Sequence, residues 1–94
     1  MDYSAELRDV VERVMWFESA EDALQYPKRF LAYLMTFGTL DEILIARRYF
    51  SDPDFEAVLA DPPPGIFDPR SWTYWNVVYH RRPIPPLTER VIPA

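Results

Sequence analysis

Cysteine is absent from this 94-residue chain, which excludes disulfides, thiolate metal sites and cysteine nucleophiles together. Histidine occurs once, as His80, so a metal site would need carboxylates for its other ligands, and none stands at a recognisable ligand spacing. Only two glycines are present, too few for a phosphate-cradling loop, and there is no G-x-S-x-G nucleophile elbow. The adjacent carboxylates Glu21-Asp22 and Asp41-Glu42 sit where helices begin and read as helix-start residues rather than acid/base pairs. The expectation is a protein that is not an enzyme, with no catalytic residue, no cofactor and no metal. No apolar run reaches membrane-spanning length, and Met1-Asp2-Tyr3-Ser4-Ala5-Glu6 is acidic where a signal peptide would be basic, so the cytoplasm is the expected location.

What the chain does have is apolar and aromatic mass. A hydrophobic share of 49% with 16% aromatic residues suffices for a packed core and argues against disorder. Its length fits one small domain. The net charge of −5 is unevenly spread: residues 1–66 hold six Lys/Arg against thirteen Asp/Glu, whereas residues 67–94 hold four Arg against Asp68 and Glu89. An acidic body repels phosphate backbones, which disfavours nucleic acid and favours a basic protein surface as partner.

Periodicity predicts an all-α fold. Leu7, Val10, Val11, Val14 and Phe17 form one helical stripe between about Tyr3 and Glu18, broadened by Met15 and Trp16. Ser19 with Glu21 and Asp22 marks a new N-terminus, giving a short helical turn before Pro27 and a full helix from Pro27 to Phe37. That helix is apolar on most sides (Phe30, Leu31, Tyr33, Leu34, Met35, Phe37) and should be the central one. Gly38 is expected to end it in the left-handed conformation. Thr39 and Glu42 form a capping box for the next helix, Leu40 to about Phe50, with Leu40, Ile43, Leu44 and Ile45 as its apolar residues. A short helix follows from Ser51-Asp52-Pro53-Asp54 through Phe55, Val58 and Leu59. After Pro62-Pro63-Pro64-Gly65, Asp68 caps a last helix that starts at Pro69 and runs to about Tyr79. The reading is a single small domain of about five short helices over residues 1–80, followed at 81–94 by an extended Pro-rich arm with Pro83, Pro85 and Pro86.

The last helix and the arm carry the candidate partner-binding residues Trp72, Tyr74, Trp75, Tyr79, Arg81, Arg82, Ile84 and Leu87. Trp72, Trp75 and Tyr79 share one face, widened by Tyr74, Val77 and Val78, and core packing comes first for the two tryptophans. Aromatic surplus beyond the core would mark a binding face, and the apolar arm should dock on its own domain or on a second subunit. The alternative is a DNA-binding regulator using the hairpin around Phe50-Ser51-Asp52 as a helix-turn-helix, with Arg47, Arg48, Arg70, Arg81 and Arg82 on phosphates. Its reading helix, however, offers Asp54 and Glu56 to the groove. A weaker alternative is a small enzyme with a carboxylate-lined pocket near His80.

One run of motifs carries a family likeness: Arg29-Phe30-Leu31, Phe37-Gly38-Thr39-Leu40-Asp41-Glu42-Ile43, Arg47-Arg48-Tyr49-Phe50, Phe55-Glu56-Ala57-Val58-Leu59, and Phe67-Asp68-Pro69-Arg70-Ser71-Trp72-Thr73-Tyr74-Trp75. Over roughly residues 27–79 the chain resembles short bacterial helical proteins of unknown function, often encoded beside nucleotidyltransferase-type toxins of the abortive-infection class. The resemblance implies an antitoxin-like or accessory role, with such a toxin, or the protein itself, as the partner. Its motifs are capping and packing signals, so no functional residue is carried over.

Overall fold

The computed structural model describes residues 5–87. The expected helix start at Tyr3 and the end of the arm at 88–94 lie outside them. Six helices follow one another, with no strand among the described residues: α1 (Ala5–Val14), α2 (Ala20–Leu24), α3 (Pro27–Phe37), α4 (Leu40–Ala46), α5 (Asp52–Ala60) and α6 (Pro69–Val78). Their starts follow local side-chain chemistry. Ser19 Oγ accepts from Asp22 N–H at 3.2 Å, and Asp68 accepts from Ser71 N–H at 2.6 Å. A reciprocal capping box stands at Thr39/Glu42, and at Ser51 the backbone N–H and the hydroxyl both donate to Asp54 Oδ2, at 2.8 and 3.1 Å. Prolines open α3 and α6 at the first helical position, where a missing N–H costs nothing.

Helix α3 is the centre, in contact with each of the other five. Phe30, Leu31, Ala32, Leu34 and Met35 are buried in it, α1 turns Leu7, Val10, Val11 and Val14 inward, and α5 packs on α3 through Phe55, Val58 and Leu59. The HTH-like outline of α4 and α5 is thus subordinate to the α3–α5 contact. Trp72 and Trp75 of α6 are buried, and the Trp75 ring stacks between Phe55 and Tyr79, both at 6.2 Å. Its Nε1–H donates to the Met35 carbonyl at 2.7 Å. That oxygen lies in the last turn of α3, where backbone acceptors have no partner within the helix, so the indole serves as a cap delivered from forty residues downstream.

Gly38 corrects one expectation. It is extended, with φ −73° and ψ 154°, and not left-handed. Glycine is needed there for space: a Cβ would stand 2.6 Å from the Leu34 carbonyl oxygen and 2.7 Å from Leu34 Cδ1. Among the described residues the left-handed ones are Gly65 (φ 78°), which turns the chain after the proline run, and His80 (φ 57°), which ends α6. Around His80 the amides of His80 and Arg81 return to the carbonyls of Val77 and Asn76 at 3.0 and 2.9 Å, the Schellman pattern with histidine in the usual place of glycine.

Two faces also differ from the reading. In α4, Leu40 and Leu44 are exposed while Glu42 and Ala46 are buried. Glu42 is held on both oxygens, by Thr39 N–H at 2.8 Å and by Arg13 Nε at 3.4 Å. A residue two positions away on a helix points to the opposite side, so an inward Glu42 turns Leu40 and Leu44 outward. In α6 the buried neighbour of the tryptophans is Asn76, not Val77 or Val78, which are exposed. Helix α1 stops at Val14, which leaves Phe17 off the buried stripe and exposed.

Trp75→Ala is expected to destabilise by about 3–5 kcal/mol, and Trp75→Phe, which keeps a ring but leaves the Met35 carbonyl unpaired, by about 1–3 kcal/mol. Urea melts of the two variants separate ring from hydrogen bond. Gly38→Ala should cost about 1–3 kcal/mol in the same assay through overpacking against Leu34, and a stabilised variant would contradict this geometry.

Candidate protein-binding face

The candidate residues of α6 and the arm divide by burial. Trp72 and Trp75 face inward. Tyr79 is half-buried, and its hydroxyl donates to Asp52 Oδ1 at 3.0 Å, the same oxygen that receives Arg47 Nη2 at 2.9 Å. Arg81 Nε donates to Asn76 Oδ1 at 3.1 Å, while Ile84 and Leu87 pack partly buried against the core. Tyr74 and Arg82 stand exposed on the surface.

A joined row of exposed aromatic residues lies elsewhere. Trp16 is 80% exposed and Phe37 64% exposed, and between them Phe17 and Tyr33 complete a continuous row. Phe17 meets the Trp16 ring at 5.7 Å and the Tyr33 ring at 5.6 Å, both edge-on, and Tyr33 stacks on Phe37 at 6.0 Å. These rings line an open hollow of about 410 Å³, closed on its polar side by the Arg13–Glu42 pair. Arg29 continues the row, its guanidinium 5.7 Å from the Tyr33 ring centroid and 2.6 Å from a Glu18 oxygen.

Local structure makes this face. Arg29, Tyr33 and Phe37 are spaced i, i+4, i+8 on α3, which puts them on one stripe of the helix, outside its buried residues Phe30, Leu31, Ala32, Leu34 and Met35. Trp16 and Phe17 reach that stripe because α1 ends early and the turn to Ser19 swings them across it. The i, i+4 spacing was available in the sequence as a signal. The turn was not, because Trp16 and Phe17 continue the apolar pattern of α1.

A second hollow, of about 320 Å³, lies on the other side of the α3–α4 junction, lined among others by Met35, Gly38, Leu40, Arg70 and Tyr74. Leu40 is 69% exposed there. Residues Phe37 to Leu40 therefore separate two apolar depressions.

The arginines proposed for phosphates have protein partners in three cases: Arg47 with Asp52, Arg48 with Glu6, and Arg81 with Asn76. Among the described residues no group of three or more His, Cys, Asp or Glu could hold a metal ion, and no helix is long and apolar enough to cross a membrane. Among the described residues two groups titrate away from their ordinary values. The Ser71 amide, and then its hydroxyl, hold the Asp68 carboxyl below the usual carboxylate range. Burial, followed by the hydrogen bond to Asp52 and that carboxylate's charge, pushes the Tyr79 phenol up to about 12.

Comparison with known protein families finds no matching family model, and comparison with curated proteins and with solved structures finds no match.

A raised phenol value means that the fold favours neutral Tyr79. Its contribution is complete below the unfolded tyrosine value of about 10 and is lost as pH climbs towards about 12. Tyr79→Phe should therefore flatten the loss of stability between about pH 10 and 12 relative to wild type, read from urea midpoints across that window. Parallel curves would contradict the assignment.

Proposed function

We propose that this protein is a protein-binding module that engages its partner through the aromatic row Trp16, Phe17, Tyr33 and Phe37. The observation that carries the proposal is the continuity of that row at the surface. Scattered exposed apolar residues are ordinary, whereas a joined aromatic patch around a hollow, rimmed by charge, is the composition of interface centres. Edge-to-face rings have little rotamer freedom left to lose on binding, which favours affinity. The acidic body adds attraction for a basic partner surface. Together with the resemblance over residues 27–79, this supports an antitoxin-like or accessory role beside a nucleotidyltransferase-type enzyme.

DNA recognition finds less support. The exposed side chains at the start of α5 include Asp54 and Glu56, and Arg47, Arg48 and Arg81 have partners within the chain.

The test is binding of the full chain to the purified product of each flanking gene, wild type against a Trp16→Ser/Phe37→Ser double variant. Both side chains are exposed, so stability should change by less than about 1 kcal/mol. Affinity should fall by roughly 30-fold or more, the factor matching about 2 kcal/mol for an interface hot spot. Unchanged affinity in a folded double variant would move the interface off this face.

A further inference from the structure

Across α6 from the hollow lined by Arg70 and Tyr74, the molecule carries a second recognition device, already filled by its own chain. The segment after His80 turns back over α6 and is held there by side chains. Trp72 Nε1–H donates to the Pro85 carbonyl at 2.8 Å, Ile84 and Leu87 pack partly buried against the core, and Phe67 stands edge-on to Trp72 at 5.5 Å. Pro83, Pro85 and Pro86 have fixed φ and no backbone N–H, so this strap forms no ladder with its surroundings. An indole donor to a carbonyl, flanked by apolar contacts, is the way aromatic grooves hold Pro-rich segments brought by other chains. Here ligand and groove are joined only through residues 80–83.

That joint is short and strained. His80 has φ 57°, a conformation L residues with a side chain rarely adopt, and Arg81 is bent back so that its amide and its Nε both bond Asn76, at 2.9 and 3.1 Å. A strained short hinge between an element and its own site favours exchange, because the swapped contacts are identical and only the hinge changes.

We propose that two copies of this chain exchange their straps, residues 83–87 of each lying against Trp72 of the other. The closed single chain is then one end of a concentration-dependent equilibrium.

The chain has no cysteine, so one introduced at Pro86, an exposed position, takes a single nitroxide label. Unlabelled-nitrogen chains carrying Pro86→Cys with nitroxide are mixed with full-length wild type enriched in nitrogen-15, and the indole N–H resonances of the latter are followed before and after ascorbate reduction. Exchange predicts loss of the Trp72 indole resonance, deepening with concentration, while the exposed Trp16 indole keeps its intensity. His80→Gly in both chains removes the hinge strain and should restore much of the Trp72 signal. A label at Arg82→Cys, also exposed and leaving the strap prolines in place, repeats the test should the first site disturb docking. Equal loss at Trp72 and Trp16 would mean random encounter and overturn the proposal, as would no loss at any concentration. A strap that never exchanges between copies yet leaves Trp72 on addition of a synthetic peptide of residues 81–87 would assign the groove to foreign Pro-rich chains, and would overturn it equally.

Discussion

The hydrogen bond from the Trp75 indole to the Met35 carbonyl is the contact on which the rest of the arrangement depends. It closes the C-terminal end of α3, the helix every other helix touches, and it fixes α6 against that end. From there the stack of Phe55, Trp75 and Tyr79 draws in α5, and Tyr79 continues through Asp52 to Arg47 at the end of α4. Three helices far apart in sequence are thereby registered by one side chain. Gly38 belongs to the same constraint: only without a Cβ can the chain leave α3 tight against Leu34 and enter the Thr39 cap.

The helix starts were legible because caps are local chemistry. Ser19, Thr39, Ser51 and Asp68 each have their partner within three residues, and Pro27 and Pro69 carry their φ preference wherever they stand. The burial of Trp72 and Trp75 was legible from size and spacing. Helix ends were less so. α1 and α4 stop short of their apolar patterns, because tertiary contacts decide how far a marginal helix continues.

The faces were the least legible part. Leu40, Leu44, Trp16 and Phe37 belong to the apolar pattern of the sequence and are exposed in the fold, while Glu42, which reads as a cap residue, and Asn76, outside that pattern, are buried. In both buried cases a specific polar pairing outweighs hydropathy: Glu42 with Thr39 and Arg13, Asn76 with the Trp72 carbonyl and Arg81. Neither Arg13 nor Arg81 is a neighbour in sequence of the group it satisfies, and periodicity carries no information about such pairings. The candidate interface shifted for a different reason: it joins the outer stripe of α3, Tyr33 and Phe37, to Trp16 and Phe17, which the end of α1 released.

The three tryptophans show how backbone accounting allots aromatic residues between core and surface. Trp75 meets an acceptor stranded at the end of α3, and Trp72 meets one in a strap whose prolines cannot form a ladder. Each indole N–H is thus buried where secondary structure leaves a carbonyl over, and the ring is buried with it. Trp16 meets the edge of Phe17 and is 80% exposed. A buried indole without an acceptor would carry a desolvation penalty of about 1–3 kcal/mol, so a tryptophan for which the fold supplies no carbonyl is more stable outside. Once outside, it is the residue type that contributes most to an interface per side chain. The same accounting that fixes Trp75 at the centre of this domain therefore leaves Trp16 at its surface, in the aromatic row we propose as the binding face.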